Sequence, residues 1–259
     1  MSEQMKRWAL VTGASSGLGI EFARILASQG FDLVLAARRE APMEALGAEL
    51  TARHGTEVVI EGIDLSEPDS ANQLKQRLDA RGIDLFVLIN NAAFGLGAPF
   101  LDHDPDRLRR MLQLDIVTMT ELSHVFGRSM AARGGGYILL VASVAAFQPT
   151  PLLAAYGAAK AYVLSLGEAL NVELAPRTAV TVLSPGVMGT GFFEVSGYKL
   201  TRQMRQTMLP TAKVAQIGLD AMFARKSGVI AGRRNAVMAF ASRLMPRHLL
   251  ARLVYLMTK

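Results

Sequence analysis

Cysteine is absent from this chain of 259 residues. Disulfide bridges, thiolate metal sites and cysteine nucleophiles are thereby excluded. Histidine is scarce: His54, His103, His124 and His248 are the only ones, and none shows the spacing of a metal-binding pair such as H-E-x-x-H. No metal is expected. No apolar run reaches the ~18 residues of a membrane-spanning helix. The N-terminal MSEQMKRWALVTG runs from a few polar or flexible residues straight into a strand pattern, which does not fit a signal peptide. A cytoplasmic protein is the expectation. Linkers, repeats and low-complexity segments are also missing, so one domain fits better than two. Acid is nearly absent from one region. From Val195 onward there are 12 Lys and Arg against one acid, Asp220, whereas the remainder carries 16 against 21; the overall charge of +6 thus divides into +11 and −5.

What is present is a chain 51% hydrophobic and 19% charged, a balance that supports a packed core and argues against disorder. Short apolar runs alternate with helical patterns. Strands are expected at Trp8–Thr12, Asp32–Ala37, Val58–Ile63, Asp84–Asn90, Tyr137–Ser143 and Ala179–Ser184. Helices are expected from about Gly17 to Gln29, Pro42 to His54, Pro68 to Ala80, Pro105 to Arg133 and Leu152 to Leu174. Continuously apolar strands are buried on both faces. Separated by helices, they imply an α/β fold: a Rossmann-type, doubly wound parallel sheet in a single domain. Ligands in such sheets bind beyond the carboxyl ends of the strands, so the loops that follow each strand carry the chemistry.

The first of these loops is TGASSGLG, Thr12 to Gly19. Gly13, Gly17 and Gly19 leave room for a pyrophosphate to approach the backbone N–H groups of Ser15, Ser16, Gly17 and Leu18 at the positive end of a helix. The second strand ends in Ala36-Ala37, followed by Arg38-Arg39, where a site for NAD usually places an acid. Two guanidiniums suit a 2′-phosphate, with Ser15 as a further donor, and NADP(H) is the expected cofactor. A solvated arginine pair, with Glu40 as partner, is the alternative. The third strand ends in Asp64-Leu65, whose carboxylate either accepts from an adenine amino group or caps the turn before Ser66 and Glu67. After the fourth strand comes Asn90-Asn91-Ala92-Ala93: Asn90 reads as structural, Asn91 and Ala92 as neighbours of the cofactor.

Farther on lie Ser143 and the pair Tyr156-x-x-x-Lys160, which alone is a weak signal. Taken in order, TGASSGLG, Asp64-Leu65, NNAA, Ser143, Tyr156-x-x-x-Lys160 and the SPG turn at Ser184 to Gly186 strongly resemble the short-chain dehydrogenase/reductase family over residues ~8 to 230. The resemblance implies about seven strands, the last near Gly228 to Ala231. It implies interconversion of a carbonyl and an alcohol by hydride transfer, with Tyr156 as acid/base. A free phenol has a pKa near ~10, and an ammonium one helical turn away favours the phenolate. Lys160 is also placed to meet the cofactor ribose, and Ser143 to hydrogen-bond the substrate oxygen as charge develops. Pro185, Gly186 and Val187 would border the nicotinamide, and Thr190 matches the family's carboxamide-binding threonine. A homodimer or homotetramer is a further implication.

One residue departs from the family pattern. Its fourth catalytic member is an asparagine; the matching position in MLQLDIVTMTEL is Asp115. If Asp115 pairs with Lys160 it would raise the phenol's pKa, and the natural protein would be less active near neutral pH than its Asp115→Asn variant. Alternatively, the asparagine's water-binding role survives unchanged. A second function class follows from the same residue: an NADP-binding sensor or interaction protein with weakened catalysis.

The loops after the fourth, fifth and sixth strands supply an apolar set that includes Phe94, Leu96, Phe147, Leu153, Phe192 and Phe193, which suits a lipophilic ketone or aldehyde. The segment Gly189 to Leu209 has the length of a lid, with Arg202 and Arg205 available to an anionic group or to solvent. Residues 236–259 form a basic, apolar C-terminal helical extension to a domain of residues 1–235, interrupted by Pro246. Packing on its own domain or a partner subunit is the favoured role of that extension. Contact with a membrane surface is possible, and nucleic acid is not expected, because no aromatic–basic interleaving supports it.

Overall fold

The computed structural model describes residues 7–198, 205 and 207–258. These contain seven parallel strands: β1 (Trp8–Thr12), β2 (Asp32–Ala37), β3 (Val58–Gly62), β4 (Leu85–Asn90), β5 (Gly136–Val141), β6 (Thr178–Ser184) and β7 (Gly228–Ile230). Their order in the sheet is β3-β2-β1-β4-β5-β6-β7. The chain steps outward from β1 in one direction and then returns to lay β4 on its other side.

Side chains of a strand point alternately to opposite faces, so a strand covered on both sides must be apolar throughout. β1 shows this directly. Ala9 and Val11 enter one core, with Phe22 and Leu26 of α1 (Gly17–Ser28), Met43 and Leu50 of α2 (Glu40–His54) and Leu219 of α8 (Thr211–Phe223). Trp8 and Leu10 enter the other, with Leu74 of α3 (Ser70–Ala80), Phe126 of α5 (Met119–Ala132) and Val163 of α6 (Ala154–Glu173). Each such fully buried side chain stabilises the fold by about 1.5–3 kcal/mol. α6 lies close against the sheet because Gly167 has no side chain: a Cβ there would sit 2.3 Å from Val182 Cγ2. That close approach is what carries Tyr156 and Lys160 down to the strand ends.

The long helix expected from about Pro105 to Arg133 is continuous over Pro105–Ala132, but its winding changes in the middle. α4 (Pro105–Leu112) begins with Asp104 accepting from Asp106 N at 2.8 Å. A π-helical turn, Gln113–Thr118, follows, and then α5. Such wide turns concentrate at functional sites. This one contains Asp115, which is fully buried.

The C-terminal segment also differs from a single interrupted helix. α9 (Arg233–Ala241) crosses the expected boundary at residues 235 and 236, a 3₁₀ turn covers Ser242–Leu244, and α10 (Arg247–Thr258) begins just after Pro246. Proline lacks the donor that a helix interior needs and suits a helix start, which explains the break. The short helix α7 (Phe192–Ser196) lies within the expected lid; Arg202 and its neighbours lie outside the described residues.

Candidate active site

The cleft forms where the strand order reverses, between the carboxyl ends of β1 and β4. Two glycines make its floor. Gly13 has φ of +69°, and a Cβ there would lie 2.9 Å from Ala92 Cα. At Gly19 a Cβ would lie 2.3 Å from Gly13 O. The loop can close on itself only without these side chains. Ser16 sits at the start of α1 in extended conformation and makes no side-chain cap, so the first N–H groups of the helix remain open toward the cleft. Across the loop, Gly17 faces Thr190, whose Cγ2 would be 3.0 Å from an added Cβ. Leu18 and Leu65 send their side chains into the core, which leaves their backbones for any part they take in the cleft.

Thr12, read from sequence only as a strand end, ties the two loops together. Its buried hydroxyl donates to Ile89 O at 3.1 Å and accepts from the backbone N–H of Asn91 and Ala92, each at 3.0 Å. Asn91 Nδ2 donates back to Thr12 O at 2.9 Å. Asn90 donates to Ser123 Oγ at 3.0 Å and to Met119 O at 3.3 Å, in keeping with a structural role.

At the end of β2, Arg39 donates to Ser15 O and Ser15 Oγ, both at 3.3 Å, and Arg38 approaches Asp64 Oδ2 at 4.0 Å. Both arginines are exposed and adjoin the glycine loop. Glu40 is not their partner; its carboxyl folds over Gly62, where a Cβ would meet Oε1 at 2.0 Å. Asp64 combines its expected roles differently. Oδ1 caps the turn, accepting from Ser66 N at 2.9 Å and Ser66 Oγ at 2.6 Å, while Oδ2 faces Arg38 and Arg110. Partial burial opposes ionisation of Asp64, but the Ser66 hydrogen bonds and the two guanidiniums outweigh it and hold the carboxyl below its usual range.

The opposite wall gathers Ser143, Tyr156, Lys160 and Asp115. Ser143 follows β5 in extended conformation, its hydroxyl accepting from Ala145 N at 3.1 Å. Lys160 is 2% exposed; its Nζ donates to Val141 O at 3.1 Å, lies 5.6 Å from the Tyr156 ring centre and is 3.5 Å from Asp115 Oδ2. Asp115 Oδ1 accepts from Phe94 N at 3.2 Å, and Oδ2 has no hydrogen-bond partner among the described residues. Burial pushes the Asp115 carboxyl up to about 6, against the pull of Lys160 and of the Phe94 N–H. Tyr156 is half-buried. That burial, with the Asp115 charge nearby, pushes the phenol above its usual value, and the Ser143 hydroxyl works the other way. The Asp115–Lys160 pairing considered from sequence is formed.

Above these groups the loops are stitched together. Val144 N donates to Pro185 O at 2.9 Å, which sets the Pro185-Gly186-Val187 turn beside Ser143. Gly97 N donates to Ser196 O at 2.8 Å and so fastens α7 to the loop after β4. Phe192 packs at a tilt against Tyr156 with ring centres 5.0 Å apart, and Phe193 meets Phe192 edge-on at 5.3 Å. Asn235, missed from sequence, packs on Gly186 so closely that a Cβ there would be 2.3 Å from its Nδ2. Its side chain donates to Ala231 O at 2.6 Å, anchoring the turn to the end of β7.

Residues 7–201 match the short chain dehydrogenase family. The chain belongs to the short-chain dehydrogenase/reductase family. Among curated relatives it is 36% identical over 170 residues to a very-long-chain 3-oxoacyl-CoA reductase of Neurospora crassa, covering 64% of this chain and 51% of that protein. It spans about half the length of the first curated relatives it matches. Among solved structures it resembles a short-chain dehydrogenase from Sphingobium yanoikuyae in complex with NADPH, with a TM-score of 0.80 and 30% identity over 92% of this chain and 95% of that one. The fold is shared with a 7beta-hydroxysteroid dehydrogenase at a TM-score of 0.86 and 23% identity, over 96% of each chain. Membership in a short-chain dehydrogenase/reductase family agrees with the cleft itself. A loop that admits no Cβ, an open helix start and two exposed guanidiniums at the end of β2 together fit a phosphorylated dinucleotide.

Proposed function

We propose that the protein is an NADP-dependent oxidoreductase that interconverts a lipophilic ketone or aldehyde and the matching alcohol, with Tyr156 as acid/base. One observation carries this reading: the Lys160 ammonium is buried 5.6 Å from the Tyr156 ring centre and donates to Val141 O, at the end of the strand that leads into Ser143. NADP(H), held by the N–H groups at the start of α1 and by Arg38 and Arg39, would supply or accept the hydride. Tyr156 holds the proton that the substrate oxygen gains or loses. Ser143 donates to that oxygen as negative charge grows on it. Lys160 lowers the cost of the phenolate, and Asp115 partly cancels that help by standing 3.5 Å from the ammonium. The aromatic cover of Phe192 and Phe193 favours an apolar substrate and keeps water from the reacting atoms. Similarity to the Neurospora crassa very-long-chain 3-oxoacyl-CoA reductase is in keeping with a long-chain carbonyl substrate. Assembly as a homodimer or homotetramer completes the reading; exposed Val117, Tyr162 and Val172 near and along α5 and α6 offer a face for it.

NADPH oxidation against a panel of carbonyls, repeated with NADH and with Tyr156→Phe, tests the proposal. Turnover that depends on the phenol and prefers NADPH supports it. The Asp115–Lys160 pair favours one competing reading, a dinucleotide sensor. NADPH binding with no turnover on any carbonyl would establish that reading instead.

A further inference from the structure

The C-terminal segment concentrates apolar surface that the fold does not cover. Of the 15 large hydrophobic side chains exposed among the described residues, 9 fall between Val237 and Leu256. On α9 these are Val237, Met238 and Phe240, at 68%, 61% and 64% exposure, while only Ala239 of that helix is buried. Leu244 in the following turn is 77% exposed. On α10, Leu250 and Val254 are four residues apart and face the protein. Leu249, Leu253 and Leu256 recur at steps of four and three, which aligns them on a second helix face, and that face is exposed. Packing on its own domain therefore accounts for one stripe of α10 and leaves the other unexplained. So large an uncovered apolar surface marks an interaction site.

Charge identifies the occupant. Residues 233–258 contain five arginines (Arg233, Arg234, Arg243, Arg247 and Arg252) and no Asp or Glu. All five are exposed, and none has an ion-pair partner among the described residues. A second copy joined face to face would set arginine against arginine with no acid between them. An anionic lipid surface answers both features, accepting leucines into its boundary and pairing the guanidiniums with headgroup phosphates. No helix among the described residues is long and apolar enough to cross a membrane, so the segment would lie on the surface. Ser242 Oγ, between α9 and α10, donates to Phe147 O at 3.2 Å and ties the segment to the turn after Ser143.

We infer that α9, the Ser242–Leu244 turn and α10 form a docking face for an anionic membrane surface, with the leucines of α10 buried at the lipid boundary. Binding of this kind does not depend on the reductase reading, because vesicle sedimentation detects it without turnover. The full chain is mixed with vesicles of phosphatidylcholine alone and of phosphatidylcholine with phosphatidylglycerol, at low and at high salt. The expected result is sedimentation with the anionic vesicles, weakened by salt and much weaker with neutral ones. Arg243→Gln/Arg247→Gln/Arg252→Gln should weaken binding on the order of a hundredfold, from about a fivefold loss per arginine near an anionic surface. Leu249→Ser/Leu253→Ser/Leu256→Ser alters only exposed positions and should abolish sedimentation while thermal unfolding stays close to that of the natural chain. No binding to either vesicle would overturn the inference. So would binding that neither variant changes. A third contrary outcome is light scattering that shows the leucine variant breaking up an oligomer in a chain that ignores lipid; the face would then be a subunit contact.

Discussion

The two walls of the cleft handle charge in opposite ways. On the cofactor wall, Arg38 and Arg39 stand exposed at the end of β2, and the glycine loop offers bare backbone donors. On the catalytic wall, Lys160 and Asp115 are 2% and 0% exposed and face each other at 3.5 Å. Exposed charges act through water and are screened by salt; buried ones act through little solvent and change their neighbours' proton affinities. On the proposed reading, the cofactor wall captures a mobile anion and the catalytic wall sets where one proton resides. Asp115 would then make that setting less favourable to a phenolate than Lys160 alone.

Perturbing each wall should give a different signature. The largest effect belongs to Tyr156→Phe, which removes the proton carrier and should lower kcat by about 10²–10⁴-fold while NADPH affinity, read by fluorescence, hardly moves. Next, Arg38→Ala with Arg39→Ala should raise KM for NADPH by roughly 10–100-fold, since each removes a charge-assisted contact, and leave KM for NADH nearly unchanged. Added salt should raise KM for NADPH in the natural protein, whereas kcat should depend little on salt. Gly19→Ala forces a methyl group to within 2.3 Å of Gly13 O; the overpacking should lower Tm by about 3–10 °C and weaken both dinucleotides alike. A smaller effect separates Asp115 from any surface carboxylate. Its folded pKa of about 6 lies above the unfolded value near 3.8, so the folded state holds the extra proton and stability falls as pH rises from about 4 to 6. Asp115→Asn lacks that titration. The Tm of the variant minus that of the natural chain should increase over this range and then level off. A constant difference would contradict the buried-carboxylate account.

Legibility from sequence followed the physics of each element. β1, β2 and β6 are mostly apolar and almost wholly buried, so their limits could be read to within a residue. The glycine loop was visible in its own spacing, whereas Ser143 and the Tyr156–Lys160 step became legible only through the ordered set of motifs along the chain. The π-helical turn at Gln113–Thr118 was not legible, since no residue type marks a wide turn and only the finished packing reveals it. Thr12 and Asn235 were missed for a related reason. Their side chains bridge segments distant in sequence, 77 residues apart for Thr12 and Ile89. Pro246 announced the break in the C-terminal segment, but which face of α10 is buried depends on tertiary contacts.

The central claim is that the buried Asp115–Lys160 pair sets the proton affinity of Tyr156. The pH dependence of kcat/KM for alcohol oxidation, where the phenolate is the active form, measures this most directly when the natural chain and Asp115→Asn are compared. Removing the aspartate charge should move the rising limb to lower pH and make the variant severalfold faster near neutrality. A limb that stays in place, or a variant slower at every pH, would contradict the account.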